Sequence, residues 1–546
     1  MKTYWRKTVA SISQHRDDGL SPSQVDMADV AIVGYGPVGQ ALALKLAQCG
    51  HRVVVVERWS TLYGLPRAVC LDHEAMRMLQ SLRVMEEFEA ATCLSERYEW
   101  RNGDGEVLKA FPALNEVVAS GWPSRCAFSQ PDLERLLDKK IHEGYGEQVT
   151  VHHNVTVTGV VEHLDHVVLE THVTGDNGGE PTYVAARYVV GCDGAGSFVR
   201  QAMGSSLERI GFAADWLVVD LQPRDPSQWN ADVIQICDPQ RPTTAVPGGP
   251  GRRRFEFMML ESERKEDFNN AQAVWPLLER WGWTPSNAIL ERHAVYTFGA
   301  AVAQTWRRGR MMIAGDAAHL TPPFAAQGLC AGLRDVSALT WRLDAVLRDQ
   351  APDGLLDSYG AERKEHATVF VAFAVMLGKI ICVLDPRQAE ERDQQLRNDT
   401  GRSEQRWPAP RLGDSPFIRE GDDHTGLLGV QGRVAYQGKI GRFDDIVGSG
   451  FALIGHEHDP SNALSEAQRQ FLSDIGAIVI GVGEHCAAQD IDGTYARWFT
   501  ELGGNTVLVR PDFYVFGQGD AASVVDDLMK TWQHLAASPV RQALEV

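Results

Sequence analysis

The sequence has no C-x-x-C pair, although its 546 residues include nine cysteines, Cys49, Cys70, Cys93, Cys126, Cys192, Cys237, Cys330, Cys382 and Cys486. That absence argues against a zinc site and dithiol redox chemistry, so no metal is expected. An odd, scattered set fits a reducing compartment better than a disulfide framework. No run of about 18 apolar residues occurs, and residues 1–27 lack the continuous apolar stretch of a secretion signal. The expectation is a cytoplasmic enzyme without membrane contact, with residues 1–27 as a frayed leader. The sequon Asn154-Val155-Thr156 then carries no meaning. Basic residues are also scarce: 53 Lys and Arg stand against 72 Asp and Glu, a formal charge of -19. Such a field repels phosphate backbones and excludes nucleic acid as the expected partner, while a few local arginines could still admit an anionic substrate. Repeats and low-complexity tracts are missing too. Hydrophobic residues at 44% and charged residues at 23% describe an ordinary globular enzyme. Its length calls for two or three domains.

What is present begins with a βαβ pattern. Residues 29–57 read as an apolar strand, a glycine turn, a helix over 40–48 and a second strand, Val53 to Val56. Gln130-Pro131-Asp132 opens another helix, with Pro in the first turn and an acid beside the dipole. Strands follow over about 149–191. From about 207 to 300 alternating strands suggest a mixed sheet with one working face, and Phe255, Phe257 and Met259 suit either a wall of an aromatic pocket or an ordinary core. A helix from about 327 puts Leu329, Leu333, Val336 and Leu343 on its apolar side. The charged, proline-punctuated stretch 385–414 reads as a linker, and residues 415–546 have strands enough for a small α/β domain.

Three segments carry chemistry. Gly34-x-Gly36-x-x-Gly39, with Pro37 and Val38 inside it, lies between strand and helix, and Glu57 ends the next strand 23 residues after Gly34. Glycines allow a tight turn and close backbone approach, the helix N-terminus offers N–H groups to a pyrophosphate, and the acid can accept from a ribose. This specifies a dinucleotide, without choosing between FAD and NAD. The second segment, Gly191-Cys192-Asp193-Gly194, and the third, Gly315-Asp316-Ala317-Ala318-His319, each end an apolar strand in an aspartate. Read alone, each is a grip for a sugar-like chain or simply a capped turn. Downstream of the third, the helix start near Gln327 and Gly328 would favour developing negative charge.

Taken together, in this order, the three segments resemble the class A flavoprotein monooxygenases, the family of p-hydroxybenzoate and phenol hydroxylases, over residues 29–370. Cys237-Asp238-Pro239, Arg241-Pro242-Thr243-Thr244, Arg252-Arg253-Arg254-Phe255-Glu256-Phe257 and Val509-Arg510-Pro511-Asp512 look like the 3-(3-hydroxyphenyl)propionate hydroxylase group. The resemblance implies an α/β fold: a Rossmann-like FAD-binding domain over 28–384 with an inserted mixed-sheet substrate domain, and a thioredoxin-like domain over 415–546 without a thiol pair. It implies that Asp316 binds the FAD ribityl chain and that Asp193 lies in a motif tied to FAD and NAD(P)H. Arg67, in Leu65-Pro66-Arg67-Ala68, and Gln130 would face FAD, as would Arg58, Gly315, Pro323, Ala326, Gln327, Gly328 and Leu329. Glycine usually stands at Ala326 and asparagine often at Cys330. Ala326 would stiffen the loop beside the flavin, and Cys330 is read as a packed small residue.

The implied reaction uses NADH or NADPH to reduce FAD, O2 as co-substrate, and oxygen transfer from a flavin C4a-hydroperoxide to a phenolic aromatic acid in aromatic catabolism. The protein must orient the ring and exclude water. A proton acceptor should line the substrate sheet, with His293, Tyr296 and Gln235 as candidates and Pro323 in the catalytic loop; strand alternation puts His293 and Tyr296 on opposite faces. Arg252 to Arg254 could bind a carboxylate or cap the sheet end. A small aromatic substrate is the expected partner, and a homodimer is left open. Alternatives are a hydroxylase of a polycyclic or other aromatic secondary metabolite, a flavin oxidase and a non-catalytic FAD-fold binding protein. A halogenase is opposed by Trp281-Gly282-Trp283-Thr284-Pro285, which lacks the isoleucine-proline of that motif.

Overall fold

A computed structural model of the protein describes residues 27–64, 67–111, 114–175, 179–398 and 409–537. Almost all of the expected leader lies outside the described residues, as do Leu65, Pro66 and residues 399–408 of the expected linker.

The sheet that organises the molecule is built on parallel neighbours in the order Met311–Ile313, Thr182–Gly191, Ala28–Val33, Val53–Glu57 and Val149–His153. Its central strands are near-continuous runs of buried Val, Ile and Ala, as parallel strands covered on both faces require. Register explains how segments far apart in sequence meet. Val33 pairs with Gly191 and Val56, and Gly191 pairs with Ile313. Parallel strands in register end together, so the turn after Val33, the loop after Gly191, the loop after Ile313 and Glu57 emerge side by side at one sheet edge.

A second sheet has eight strands, in the order His319–Leu320, Ala288–Ala303, Leu207–Pro223, Arg253–Met258, Thr243–Pro247, Val233–Ile236, Tyr98–Arg101 and Val107–Phe111. It is wider than the expected 207–300 because the hairpin 98–111 pairs along Val233–Ile236. Its faces divide cleanly. Phe255, Phe257, Leu217, Val219 and Leu221 pack with Val274 and Leu278 of the helix Ala271–Glu279 and with Trp283. On the other face Asp220, Val218 and Trp216 stand opposite Arg254, Glu256 and Met258. The pattern Phe255, Phe257, Met259 is therefore core, and the tryptophan segment packs on that outer side.

A third sheet, of seven strands, occupies residues 433–518. Within it Ala452–His456 and Ile478–Val482 are parallel, and Thr506–Val509 and Val515–Gln518 add antiparallel. The helix Gly328–Leu347 is buried almost all round, charged residues included, since Arg334, Asp335 and Arg342 are each no more than 2% exposed. It packs against the helices Pro37–Gln48 and Asp357–Ile381, and Trp341 meets Phe417, Phe451 and Trp532 of the C-terminal region. The stretch read as a linker also differs from expectation. Pro386–Asn398 is a helix, started by Asp385, which accepts from Gln388 N at 2.8 Å, and docked by Arg392, which donates to the carbonyl of Cys237 at 2.6 Å. Its charges serve capping and docking. Among the described residues no single helix is long and apolar enough to cross a membrane.

Candidate active site

The glycine turn is held by crowding. Gly34 has φ +103°, and a Cβ there would lie 2.5 Å from the carbonyl oxygen of Cys192. A Cβ on Gly39 would lie 2.1 Å from the oxygen of Gly34, whereas one on Gly36 would meet nothing within 4 Å. The first and third glycines thus close the turn, and the second leaves the backbone open. Pro37 begins the helix, whose first turn has no side-chain cap, so its N–H groups point toward that opening. Glu57 stands beside the turn and accepts from Tyr35 N at 2.6 Å and Trp59 N at 2.9 Å. Arg58 is exposed with its guanidinium over Trp59.

Asp193 accepts from Phe198 N at 2.6 Å through Oδ2, while its buried Oδ1 has no hydrogen-bond partner among the described residues. Burial raises its carboxyl above the usual range. Asp316 is open along the cleft yet ringed by protein, and this surround raises its carboxyl against the pull of His319 and Arg67. The backbone at Gly315 (φ +62°) is fixed by a residue that the sequence reading passed over. Asp335 accepts from Gly315 N at 2.9 Å and from His319 at 2.8 Å, and Arg363 donates to its other oxygen at 2.9 Å. Val38 fills the gap between Gly315 and Gly332, tying the first loop to the third.

The loop Pro322–Gly328 closes the far end. Ala326 adopts the left-handed conformation, φ 53° and ψ 35°, the position where glycine was expected, and its N–H donates to Pro323 O at 2.8 Å. Gln327 is buried, donates to Asp72 at 3.0 Å and accepts from Arg334 at 3.0 Å. Arg334 also donates to Glu74, and Tyr514 of the C-terminal region donates to the same carboxylate at 2.8 Å. Gly328 starts the long helix and Leu329 is half-buried beside it. Gln130 accepts from Ala68 N at 2.7 Å and donates to Glu134 at 2.6 Å. Burial pushes the Glu134 carboxyl up to about 7. Arg67 lies over the Tyr63 ring, and its carbonyl accepts from Arg254 of the second sheet.

Between this loop and the second sheet lies a cavity of about 100 Å³. Pro323, Phe324 and Ala326 form one side and Gln235, Thr244 and Glu256 another, with Tyr98, Arg125, Cys70 and Cys126 among the other wall residues. Of the sequence candidates, Gln235 and Pro323 line it. Gln235 is engaged, accepting from the Thr244 hydroxyl at 2.6 Å and donating to Thr243 O at 3.0 Å. Tyr296 pairs with Trp216, on the same face as Glu256, but outside the lining; its hydroxyl accepts from Arg292 and its ring lies under that guanidinium. His293 pairs with Val219, a member of the outer-face core. Strand alternation turns His293 away from the cavity, which removes it as a ring-facing residue. Arg254 likewise is no free carboxylate receptor, because it donates to both oxygens of Asp220 at 2.7 and 2.9 Å.

The two charged residues of the lining, Arg125 and Glu256, were not singled out in sequence as site residues. Glu256 lies in the segment Arg252 to Phe257, and its place on the cavity face is the period-2 complement of Phe255 and Phe257.

The cleft fits FAD. An open backbone at Gly36, an uncapped helix start, a buried unpartnered oxygen on Asp193 and an accessible Asp316 line up along one sheet edge, as an extended dinucleotide with a hydroxylated chain requires.

Comparison with known proteins agrees with that fit. A family model described as FAD binding domain matches residues 27–374, and one described as HcaD C-terminal domain matches residues 426–535. The chain is 36% identical to the "Probable NADH-specific resorcinol 4-hydroxylase" of Rhodococcus jostii (strain RHA1), over 92% of this chain and 94% of that protein. It is 32% identical to the 3-(3-hydroxy-phenyl)propionate/3-hydroxycinnamic acid hydroxylase of Mycobacterium avium (strain 104), over 90% and 89% respectively. Among solved structures it resembles the flavin-dependent monooxygenase PieE, in complex with FAD and substrate, with TM-score 0.79 and 19% identity over 93% of this chain and 99% of that one. Aklavinone-11 hydroxylase with FAD and aklavinone gives TM-score 0.76 at 24% identity, again over 93% and 99%.

Proposed function

The chain belongs to the FAD binding domain family and is an FAD-dependent aromatic monooxygenase, and from that premise we propose that it hydroxylates a compact single-ring phenol, with NADH as reductant. The observation that carries the reading is the cavity of about 100 Å³ between the Pro322–Gly328 loop and the second sheet. An apolar cavity of about 150 Å³ holds benzene; this smaller space would take one ring with a modest outward shift of the Pro322–Gly328 loop, and a polycyclic substrate would need far more. A dihydroxybenzene fits best, in keeping with the name of the Rhodococcus relative. A phenolic acid is the second reading, favoured by Arg125 in the wall, which could face a carboxylate.

Bound FAD supplies the redox chemistry with O2 and the reduced nicotinamide. The residues around it bind and shield. Gly36 and the helix start at Pro37 would face the pyrophosphate, Glu57 the adenosine ribose, Asp316 the ribityl chain, and Arg67 and Gln130 the outer edge of the cofactor. The helix start at Gly328 would stabilise negative charge on the reduced ring. Pro323, Phe324 and Ala326 would press the phenol against the sheet and keep water out. The C-terminal region has a βαβ unit followed by an antiparallel hairpin and a helix, which supports a thioredoxin-like reading; with Cys486 lacking a neighbouring thiol partner in sequence, its role is packing. Charge and composition support a cytoplasmic location without nucleic acid or membrane as partner, and dimer contacts are the alternative role of the C-terminal region.

The test is to follow NADH and NADPH oxidation with resorcinol, 3-(3-hydroxyphenyl)propionate and a polycyclic phenol, weighing the products. One added oxygen on resorcinol, with NADH preferred, is the expected result. Turnover restricted to the polycyclic compound would overturn it.

A further inference from the structure

We propose that Glu256 is the group that accepts the proton of the substrate hydroxyl, an inference that rests on reading the cavity as the phenol site. The carboxylate lines the cavity and belongs to a residue only 7% exposed. No described side chain or backbone N–H is hydrogen-bonded to it, and its ion pair with Arg254 Nη1 is a long one, 3.9 Å. A buried carboxylate left without a donor is costly unless something else supplies one. A phenol in the cavity would.

Elimination points the same way. Gln235 already spends both ends of its amide on Thr244 and Thr243. Arg125 cannot accept. Burial pushes the Cys70 and Cys126 thiols and the Tyr98 hydroxyl up, so all three remain protonated near neutrality. Burial also raises the Glu256 carboxyl, with Arg254 pulling it down, Asp220 pushing it up and Arg292 pulling it down. A raised carboxyl is a stronger base, closer in proton affinity to a phenol. These are the charged and titratable groups that face Glu256: Arg254 on its own strand, Asp220 on the adjacent strand, Arg292 on the strand beyond it, and Arg125, Cys70, Cys126 and Tyr98 around the cavity.

In the step, the phenolic O–H bond breaks and an O–H bond forms at a Glu256 carboxyl oxygen. The electron pair stays on the phenolate oxygen, which activates the ring, and one negative charge moves from carboxylate to phenolate. No oxidant or further reactant is needed.

The experiment uses FAD-loaded full-length protein, with resorcinol as probe, in wild type, Glu256→Gln and Glu256→Asp. Removing a general base lowers rate about 10²-fold or more, so Glu256→Gln should form hydroxylated product at least about 100-fold more slowly while NADH still yields hydrogen peroxide. Glu256→Asp should recover part of the loss. Independently of turnover, ultraviolet difference spectra should show resorcinol binding to wild type as phenolate at a pH where free resorcinol is neutral. That band should be absent in Glu256→Gln. Product formation by Glu256→Gln within about threefold of wild type, or the same phenolate band in both, would overturn the proposal. If Glu256→Gln does not hold FAD, the wild-type spectrum and Glu256→Asp decide, and a wild type that binds resorcinol only as neutral phenol sinks the idea. A wild type that hydroxylates no single-ring phenol fails differently, because the substrate reading itself then falls.

Discussion

Glu362 and Glu256 are both buried glutamates, and their surroundings differ in kind. Glu362, on the helix Asp357–Ile381, receives Arg342 at 2.6 Å, Arg510 of the C-terminal region at 2.9 and 2.7 Å and the Ser415 hydroxyl at 2.6 Å. Against the effect of burial, Arg342 and Arg510 hold its carboxyl down at about 2. The Glu256 carboxylate has no hydrogen bond from the described residues and only an ion pair with Arg254 at 3.9 Å, and Asp193 in the cofactor cleft keeps one oxygen unpartnered. Around Glu362, where the C-terminal region meets the FAD-binding region, the charged groups are satisfied by one another. Along the cleft and cavity they are left for something else. The difference marks the former as structure and the latter as site, because a fold tolerates unpaired buried polar groups chiefly where function uses them.

The contrast breaks most visibly at its structural end. Glu362→Ala leaves Arg342 and Arg510 in the interior with Asp512 as the one carboxylate they still share, and removal of one member of a buried ion cluster costs about 3–5 kcal/mol. A urea midpoint unchanged within error would show that the web contributes nothing. The pH dependence has a definite sign. A depressed carboxyl contributes stability that is complete above the ordinary glutamate range, near pH 4.5, and disappears as pH falls from there toward about 2. The denaturation midpoint of wild type should drop over that interval more steeply than that of Glu362→Ala.

At the site end, Asp316→Ala should weaken FAD binding roughly tenfold to a hundredfold, the 1.5–3 kcal/mol of a hydrogen bond to a charged group, with less effect on folding. Flavin fluorescence titration reads this, and an unchanged affinity would remove its proposed role. Glu134 offers a smaller effect of opposite sign. Its raised carboxyl favours the protonated folded state, so stability falls as pH rises from about 4.5 through about 7. Glu134→Gln abolishes this slope. Its amide oxygen still accepts from Gln130, more weakly than a carboxylate, so the net gain at pH 8 is on the order of 1 kcal/mol. Thermal melts between pH 5 and 8 that stay parallel for the two proteins would refute it.

What was legible in the sequence follows the same division. The βαβ unit, the glycine turn and the aspartates at strand ends are local patterns with local causes, so Gly34, Asp193 and Asp316 could be read directly. Their meeting at one edge depends on the register of Val33, Gly191 and Ile313, which no local pattern contains. Period-2 alternation separated His293 from Tyr296 but could not say which face was wet. That is why the aromatic set Phe255 and Phe257 was open to being read as pocket when Glu256 between them lines it. Asp335 and Arg334 were hidden for another reason: an amphipathic pattern presumes that charged residues face water, and this helix is buried on nearly every side. The helix over 386–398 was hidden because its charges look like those of a linker until Arg392 finds Cys237.

The smallest effect tests whether backbone strain belongs to the site as well. Ala326 sits at φ 53° beside the cavity, a conformation that costs a non-glycine residue about 1–2 kcal/mol. Glycine would relieve that strain, but it also gives the unfolded chain more freedom, a loss of about 0.4–1 kcal/mol. The opposing terms leave Ala326→Gly within about 1 kcal/mol of wild type in stability, with stabilisation the favoured sign. Its consequence should instead appear in the loop. Amide exchange at residues 323–328 should quicken, and a larger share of NADH should end as hydrogen peroxide, because the side of the cavity that excludes water is less firmly held. A destabilisation well beyond 1 kcal/mol would mean that the Ala326 methyl is needed for packing. Unchanged exchange together with unchanged coupling would mean that the left-handed alanine does not stiffen the loop, and that the polar groups alone distinguish the site from the scaffold around it.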